Sequence, residues 1–109
     1  IYLVLSIDEI NDILYRTIMR FAPFGLGNKA PVFCTNEINN FKLSLVGNND
    51  SHLKGIVKGT SKSFEFIGFN LGHKYEYLCN SKSINICYTI YEDSWRGEKK
   101  LKLRLIDIK

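Results

Sequence analysis

The sequence predicts a mainly β domain, a five-stranded antiparallel barrel preceded by one N-terminal α-helix. Three observations predict it. Apolar residues recur every three or four positions between Ile7 and Phe21, the spacing of a single helical stripe. From Pro31 onward the apolar period falls to two, the alternation of strands with one face on a core. Clusters of Gly, Asn, Asp and Ser then cut this second stretch into short segments, as turn residues do. With 109 residues, 45% hydrophobic and 24% charged, the chain fits one domain with one core and leaves no room for an active site between two domains.

The helix starts at Ser6-Ile-Asp-Glu9, a capping box in which hydroxyl and carboxylate each satisfy an orphan amide, with Leu5 and Ile10 spaced as a hydrophobic staple. Ile7, Ile10, Ile13, Leu14, Ile18 and Phe21 form its stripe, and Ala22-Pro23 ends it. The first strand spans about 32–46, where Phe41, Leu43 and Leu45 alternate with Lys42 and Ser44. After the turn Gly47-Asn-Asn-Asp50 the second strand runs from His52 to Lys58, and after Gly59-Thr-Ser-Lys62 the third runs from Ser63 to Asn70. In the third, Phe64 and Phe66 face one way and Ile67 and Phe69 the other. Residues 71–80 read as a loop with a helical turn at Lys74-Tyr-Glu-Tyr-Leu78. The fourth strand (84–91) alternates through Ile84, Ile86, Tyr88 and Ile90. After a loop at 92–98 the fifth (99–108) shifts parity between Leu105 and Ile106, as a bulge would require. Helix and connector thus occupy residues 1–30 and the barrel 31–109, in one compact unit. Five strands with an insert after the third is the plan of an OB-fold, a Greek-key barrel that offers its second and third strands and two loops to oligonucleotides or oligosaccharides.

Charge is unevenly spread. Residues 1–53 carry four basic and five acidic side chains, whereas residues 54–109 carry eleven and six. A basic half interleaved with aromatics is the footprint of a polyanion binder. Cys34, Cys79 and Cys87 are too few and too widely spaced for a disulfide framework or a metal knuckle, and read as reduced, mostly buried thiols. No apolar run reaches the roughly 18 residues needed to cross a bilayer, and Ile1-Tyr-Leu-Val-Leu5 is too short for a signal-peptide core. The expectation is a cytoplasmic chain that does not engage a membrane. Its start at Ile1, without Met, suggests a piece of something longer.

Trp95 and Arg96 lie between the fourth and fifth strands. An indole stacks on any base and the neighbouring guanidinium pairs with phosphate, although a lone Trp also serves as a barrel plug. Lys54 and Lys58 share a parity with His52, and Phe66 on the next strand is a candidate stacking ring provided that its set, not that of Phe69, is the exposed one. Lys99, Lys100, Lys102 and Arg104 form a basic ribbon, either a phosphate track or an ordinary guarded edge. Phe24, Gly25, Gly27 and Asn28 form a glycine-hinged connector from helix to barrel or part of a docking contact. No nucleophile with its base, carboxylate pair or zinc signature is present, so a self-contained catalytic site is not expected.

Pro23-Phe24-Gly25-Leu26-Gly27-Asn28 with Pro31-Val32-Phe33, then His52-Leu53-Lys54, Ile67-Gly68-Phe69-Asn70, Trp95-Arg96-Gly97, Leu101-Lys102-Leu103 and Ile106-Asp107-Ile108, resembles the OB domain of the bacterial single-strand-specific exonuclease RecJ. The likeness spans nearly the whole chain in order; Lys102 stands where the family pattern usually carries Gln. The resemblance implies a parent hydrolase, a 5′–3′ single-stranded-DNA exonuclease of recombination and repair, with a manganese- or magnesium-dependent catalytic core of the DHH type. This chain has no Asp-His-His motif, so no metal ligand transfers to it and no cofactor is expected in it. Its implied partners are single-stranded DNA and the DHH-type domains of the same chain, either as a strand-gripping module or as a docking domain.

Overall fold

A computed structural model describes residues 2–22 and 30–109. Strand β1, Tyr2–Val4, leads into a 3-10 turn at Ile7–Glu9 and helix α1, Asp12–Met19. The capping signal at Ser6 is real: the Glu9 carboxylate accepts the Ser6 N–H at 3.0 Å. It caps a single turn, however, because Ile10 is extended (φ −79°, ψ 119°) and fully buried, breaking the expected continuous helix to sink its side chain into the core. The helix restarts at Asn11, whose side-chain oxygen accepts the Leu14 N–H at 2.8 Å. Leu14 and Ile18 then pack on the core while Ile13 points to solvent, 76% exposed.

Six further strands follow: β2 (Val32–Ile38), β3 (Asn40–Val46), β4 (His52–Lys58), β5 (Ser63–Gly68), β6 (Ile84–Trp95) and β7 (Glu98–Ile108), with helix α2 (Tyr75–Cys79) between β5 and β6. They form one sheet in the order β1-β2-β6-β7-β5-β4-β3. This corrects the expected five-stranded, all-antiparallel closed barrel in three ways. A short strand, β1, adds itself parallel to β2. The single long strand expected over 32–46 is two strands that meet at Asn39, because Glu37 turns left-handed (φ 54°) and the β2–β6 register slips between Thr35 and Ile38. β2 therefore pairs with β6 and β3 with β4, and the hydrogen-bonded sheet is open, ending at β1 and β3. Finally, β5 and β7 run parallel, in register at Phe66–Leu103 and Ile67–Arg104. The bulge expected near Leu105 is present: Tyr88 faces Leu105 and Cys87 faces Asp107, which leaves Ile106 unmatched and half-exposed.

The sheet wraps a core whose largest members are Tyr88, Phe33, Phe66, Ile10 and Leu53. One polar pair lies inside it. The Tyr88 hydroxyl and Thr35 Oγ1 are 2.8 Å apart, so neither buried oxygen is orphaned. Burial pushes the Tyr88 phenol up to about 12, against the opposing pull of the Thr35 bond. The Lys74 ammonium ties α2 to β7, reaching Asp107 Oδ1 and the Ile108 carbonyl, both at 2.7 Å.

The 3-10 turn is fastened to the β4–β5 turn through one carboxylate. Asp8 accepts the backbone N–H groups of Thr60, Ser61 and Lys62 at 2.8, 3.0 and 3.1 Å. These bonds, Ser61 foremost, hold the Asp8 carboxyl below the usual aspartate value. A lowered folded-state pKa adds stability that is complete above the unfolded value, near 3.9, and is lost as pH falls through the folded one. Acid unfolding of the native chain should therefore steepen below about pH 4, and Asp8→Asn, which cannot titrate, should flatten that limb while lowering stability at neutral pH. Thermal midpoints from pH 2 to pH 7 measure both effects.

Candidate nucleic-acid interface

Strand alternation decides which side chains reach solvent. On β4, Leu53 and Val57 are fully buried, which turns His52, Lys54, Ile56 and Lys58 outward. On β5, Phe66 is 2% exposed and Phe69, just beyond the strand, 47%. This corrects Phe66 as a stacking candidate, since its ring belongs to the core opposite Gly55. On β7, Leu103 and Leu105 point in, and Lys100, Lys102 and Arg104 point out.

Cross-strand register gathers these outward side chains on one face. Lys54 lies between Ser44 on β3 and Ile67 on β5, and Ile67 is opposite Arg104 on β7. The Arg104 guanidinium carbon sits 4.9 Å from the centroid of the Phe69 ring. The His52 ring meets Phe69 edge-on, with centroids 5.2 Å apart at 80°. The Asn70 N–H donates to His52 Nδ1 at 3.0 Å, which orients the imidazole. Phe69 is thus an exposed ring held between two nitrogen-bearing partners. Parity leaves its set and that of Phe66 indistinguishable, but Gly55 breaks the tie: a bare glycine in mid-strand needs a large neighbour to cover it, and Phe66 is its cross-strand partner.

The other end of the face is the β6–β7 hairpin. β6 continues through residues 92–95, expected as loop, because pairing with β7 rather than burial sustains it to Trp95–Glu98. A two-residue turn closes it at Arg96 (φ 51°) and Gly97 (φ 80°), the double positive φ of a type I′ hairpin. Trp95 is 56% exposed at this tip, so it is not a barrel plug. The Arg96 guanidinium carbon lies 5.0 Å from the centroid of its ring.

Between the tip and β5 lies a groove of about 370 Å³ lined by Trp95, Arg96, Lys100 and Lys102, together with Glu65, Asp93 and Glu98. Three cations face three carboxylates there. Lys102 is already committed: its ammonium is 2.7 Å from Asp93 and 3.4 Å from Glu65, and the Asp93 bond leads in raising its pKa. It braces three strands rather than offering a free charge. Glu65 also lines a second groove of about 320 Å³, with Lys42 and Lys54, so the two hollows adjoin across the face. Among the described residues, Lys42, Lys54 and Arg104 form no ion pair. Lys58 is half-buried at the end of β4, and Lys100 is exposed opposite Asp93. Phe24, Gly25, Gly27 and Asn28 lie outside the described residues. Among the described residues, no three His, Cys, Asp or Glu side chains are grouped to hold a metal ion, and no helix is long and apolar enough to cross a membrane.

Comparison with known proteins bears on what this face belongs to. A family model described as the RecJ OB domain matches residues 1–107. The chain is 24% identical over 105 residues to the single-stranded-DNA-specific exonuclease RecJ of Bacillus subtilis (strain 168), covering 96% of this chain and 13% of that protein. It also resembles the RecJ of Thermus thermophilus, solved in complex with Mn2+ and with Mg2+, at a TM-score of 0.67 and 19% identity in each case. Those matches cover 88% of this chain and 13% and 14% of the two solved chains, and they establish likeness of fold. The chain therefore spans 13% of the length of its Bacillus relative, and across almost all of its own length it belongs to the RecJ OB domain family.

Proposed function

We propose that this chain is the single-stranded-DNA-binding module of a RecJ-like 5′–3′ exonuclease of recombination and repair, gripping the strand and aiming it at a catalytic core outside these residues. The observation that carries the reading is the shared face: an exposed Phe69 ring against Arg104, unpaired Lys54 and Lys42 beside it, and an exposed Trp95–Arg96 pair at the hairpin tip. Rings supply base stacking without regard to sequence, and cations follow the phosphates. Lys100 extends the basic rim, whereas Lys58 lines a separate hollow beside the 3-10 turn. The manganese or magnesium implied for the parent would serve its catalytic core, and no residue of this chain is assigned to it.

Replacing Lys54 and Arg96 together by Ala tests the assignment. Affinity for oligo-dT should fall about tenfold or more, and the salt slope should flatten by about 1.4, two phosphate contacts at roughly 0.7 each. Unchanged affinity and slope would defeat it.

A docking role has its own support. Tyr2, Leu3 and Val4 on β1 and Ile13 on α1 are all exposed apolar side chains at one end of the sequence. Exposed apolar side chains of this kind suit packing on DHH-type domains of the same chain, and none of the four lines either groove of the candidate DNA face, so the two roles are compatible. Val4→Ser with Ile13→Ser would then loosen the full-length assembly without altering oligo-dT affinity.

A further inference from the structure

Cys34 on β2 and Cys87 on β6 are cross-strand partners, with their sulfurs 2.8 Å apart. The Cys34 carbonyl accepts the Leu5 N–H at 2.8 Å, so it points toward β1 and away from β6. Cys34 therefore occupies a non-hydrogen-bonded position of the β2–β6 ladder, where facing Cα atoms come closest, at about 4.5 Å. That separation falls within the range a disulfide spans. Both side chains lie opposite in parity to their buried neighbours Phe33, Thr35, Ile86 and Tyr88, so both face outward, and both are partly accessible. Wide sequence spacing hid this pair, and the expectation of mostly buried thiols is corrected: Cys34 and Cys87 are half-buried and Cys79 is exposed.

We propose that Cys34 and Cys87 form a reversible dithiol–disulfide site, oxidised by exchange with a small-molecule disulfide, that covalently staples β2 to β6. One thiolate attacks the small disulfide, forming a mixed disulfide and releasing one small thiolate. The second protein thiolate then attacks the protein sulfur of that mixed disulfide and expels the other small thiolate. The two cysteines lose two electrons and two protons in all, and the small disulfide is reduced to two thiols. Burial pushes the Cys87 thiol up to about 11, ahead of the effect of its Cys34 neighbour, so thiolate for the exchange forms more readily as pH rises. The staple joins residues far apart in sequence, the case in which a cross-link restricts the unfolded chain most.

The test uses the Cys79→Ser chain, so that only this pair reports, exposed to graded oxidised glutathione. The expected product has lost both free thiols and two hydrogens in mass, yields a Cys34–Cys87 cross-linked peptide on non-reducing digestion, and melts about 5–15 °C higher until dithiothreitol reverses it. The native chain supplies the reactivity control through exposed Cys79. The proposal is overturned if a glutathione adduct persists on Cys34 or Cys87 beside a free partner thiol, or if both thiols survive conditions that modify Cys79. Disulfide-linked dimers through either residue would overturn it equally.

Discussion

Phe66→Ala is expected to destabilise the chain by about 3–5 kcal/mol, whereas Phe69→Ala, three residues on, should cost about 1 kcal/mol or less. The difference follows from the side of β5 each ring takes. Phe66 is 2% exposed over Gly55, so truncation opens a cavity that the flanking strands cannot close. Phe69 is 47% exposed and touches His52 and Arg104, so truncation removes only edge and cation contacts. For DNA the order reverses. Phe69→Ala should weaken oligo-dT binding about 5- to 150-fold, one lost base stack of roughly 1–3 kcal/mol, while a conservative Phe66→Leu that stays folded should bind as before. Thermal melts and oligonucleotide titrations on the same preparations read both quantities.

Gly55→Ala should be the second severe substitution, at several kcal/mol, although it adds one methyl group. A Cβ there would collide with the Lys42 carbonyl oxygen on β3 and stand 2.7 Å from Cζ of Phe66. Backbone on one side cannot yield without breaking the β3–β4 ladder, and on the other the ring can leave only by vacating the core. The strain is shared, so the two sites should couple. Gly55→Ala combined with Phe66→Leu should cost less than the sum of the single changes, which a double-mutant cycle measures.

Much of this was legible in the sequence where burial and turn chemistry speak together. β4 lies where alternation between two glycine-bearing turns places it, and the β7 bulge follows from the parity shift at Leu105. The misread elements share a cause: their structure is set by partners distant in sequence. Ser6 and Glu9 are a genuine start signal, but Ile10 is claimed by the core and Asp8 by a turn more than fifty residues away. Glu92 to Trp95 are polar and loop-like, yet pairing with β7 makes them strand. The bend that splits the first long strand depends on a left-handed glutamate, Glu37, which no composition rule singles out. At the candidate interface, alternation identified two Phe sets without saying which faced water. Arg104 and His52 acquired their significance only when β5 and β7 brought Phe69 between them. Lys102 went the other way: a free cation by sequence, a satisfied brace between two carboxylates in space.

The most direct test of the central claim is an oligo-dT titration of the native chain at two salt concentrations, followed by Trp95 emission. The account predicts saturable quenching of the single indole and a log–log salt slope of about −2 or steeper, three or more phosphates at roughly 0.7 each. Binding that leaves Trp95 emission unchanged and is indifferent to salt would contradict it.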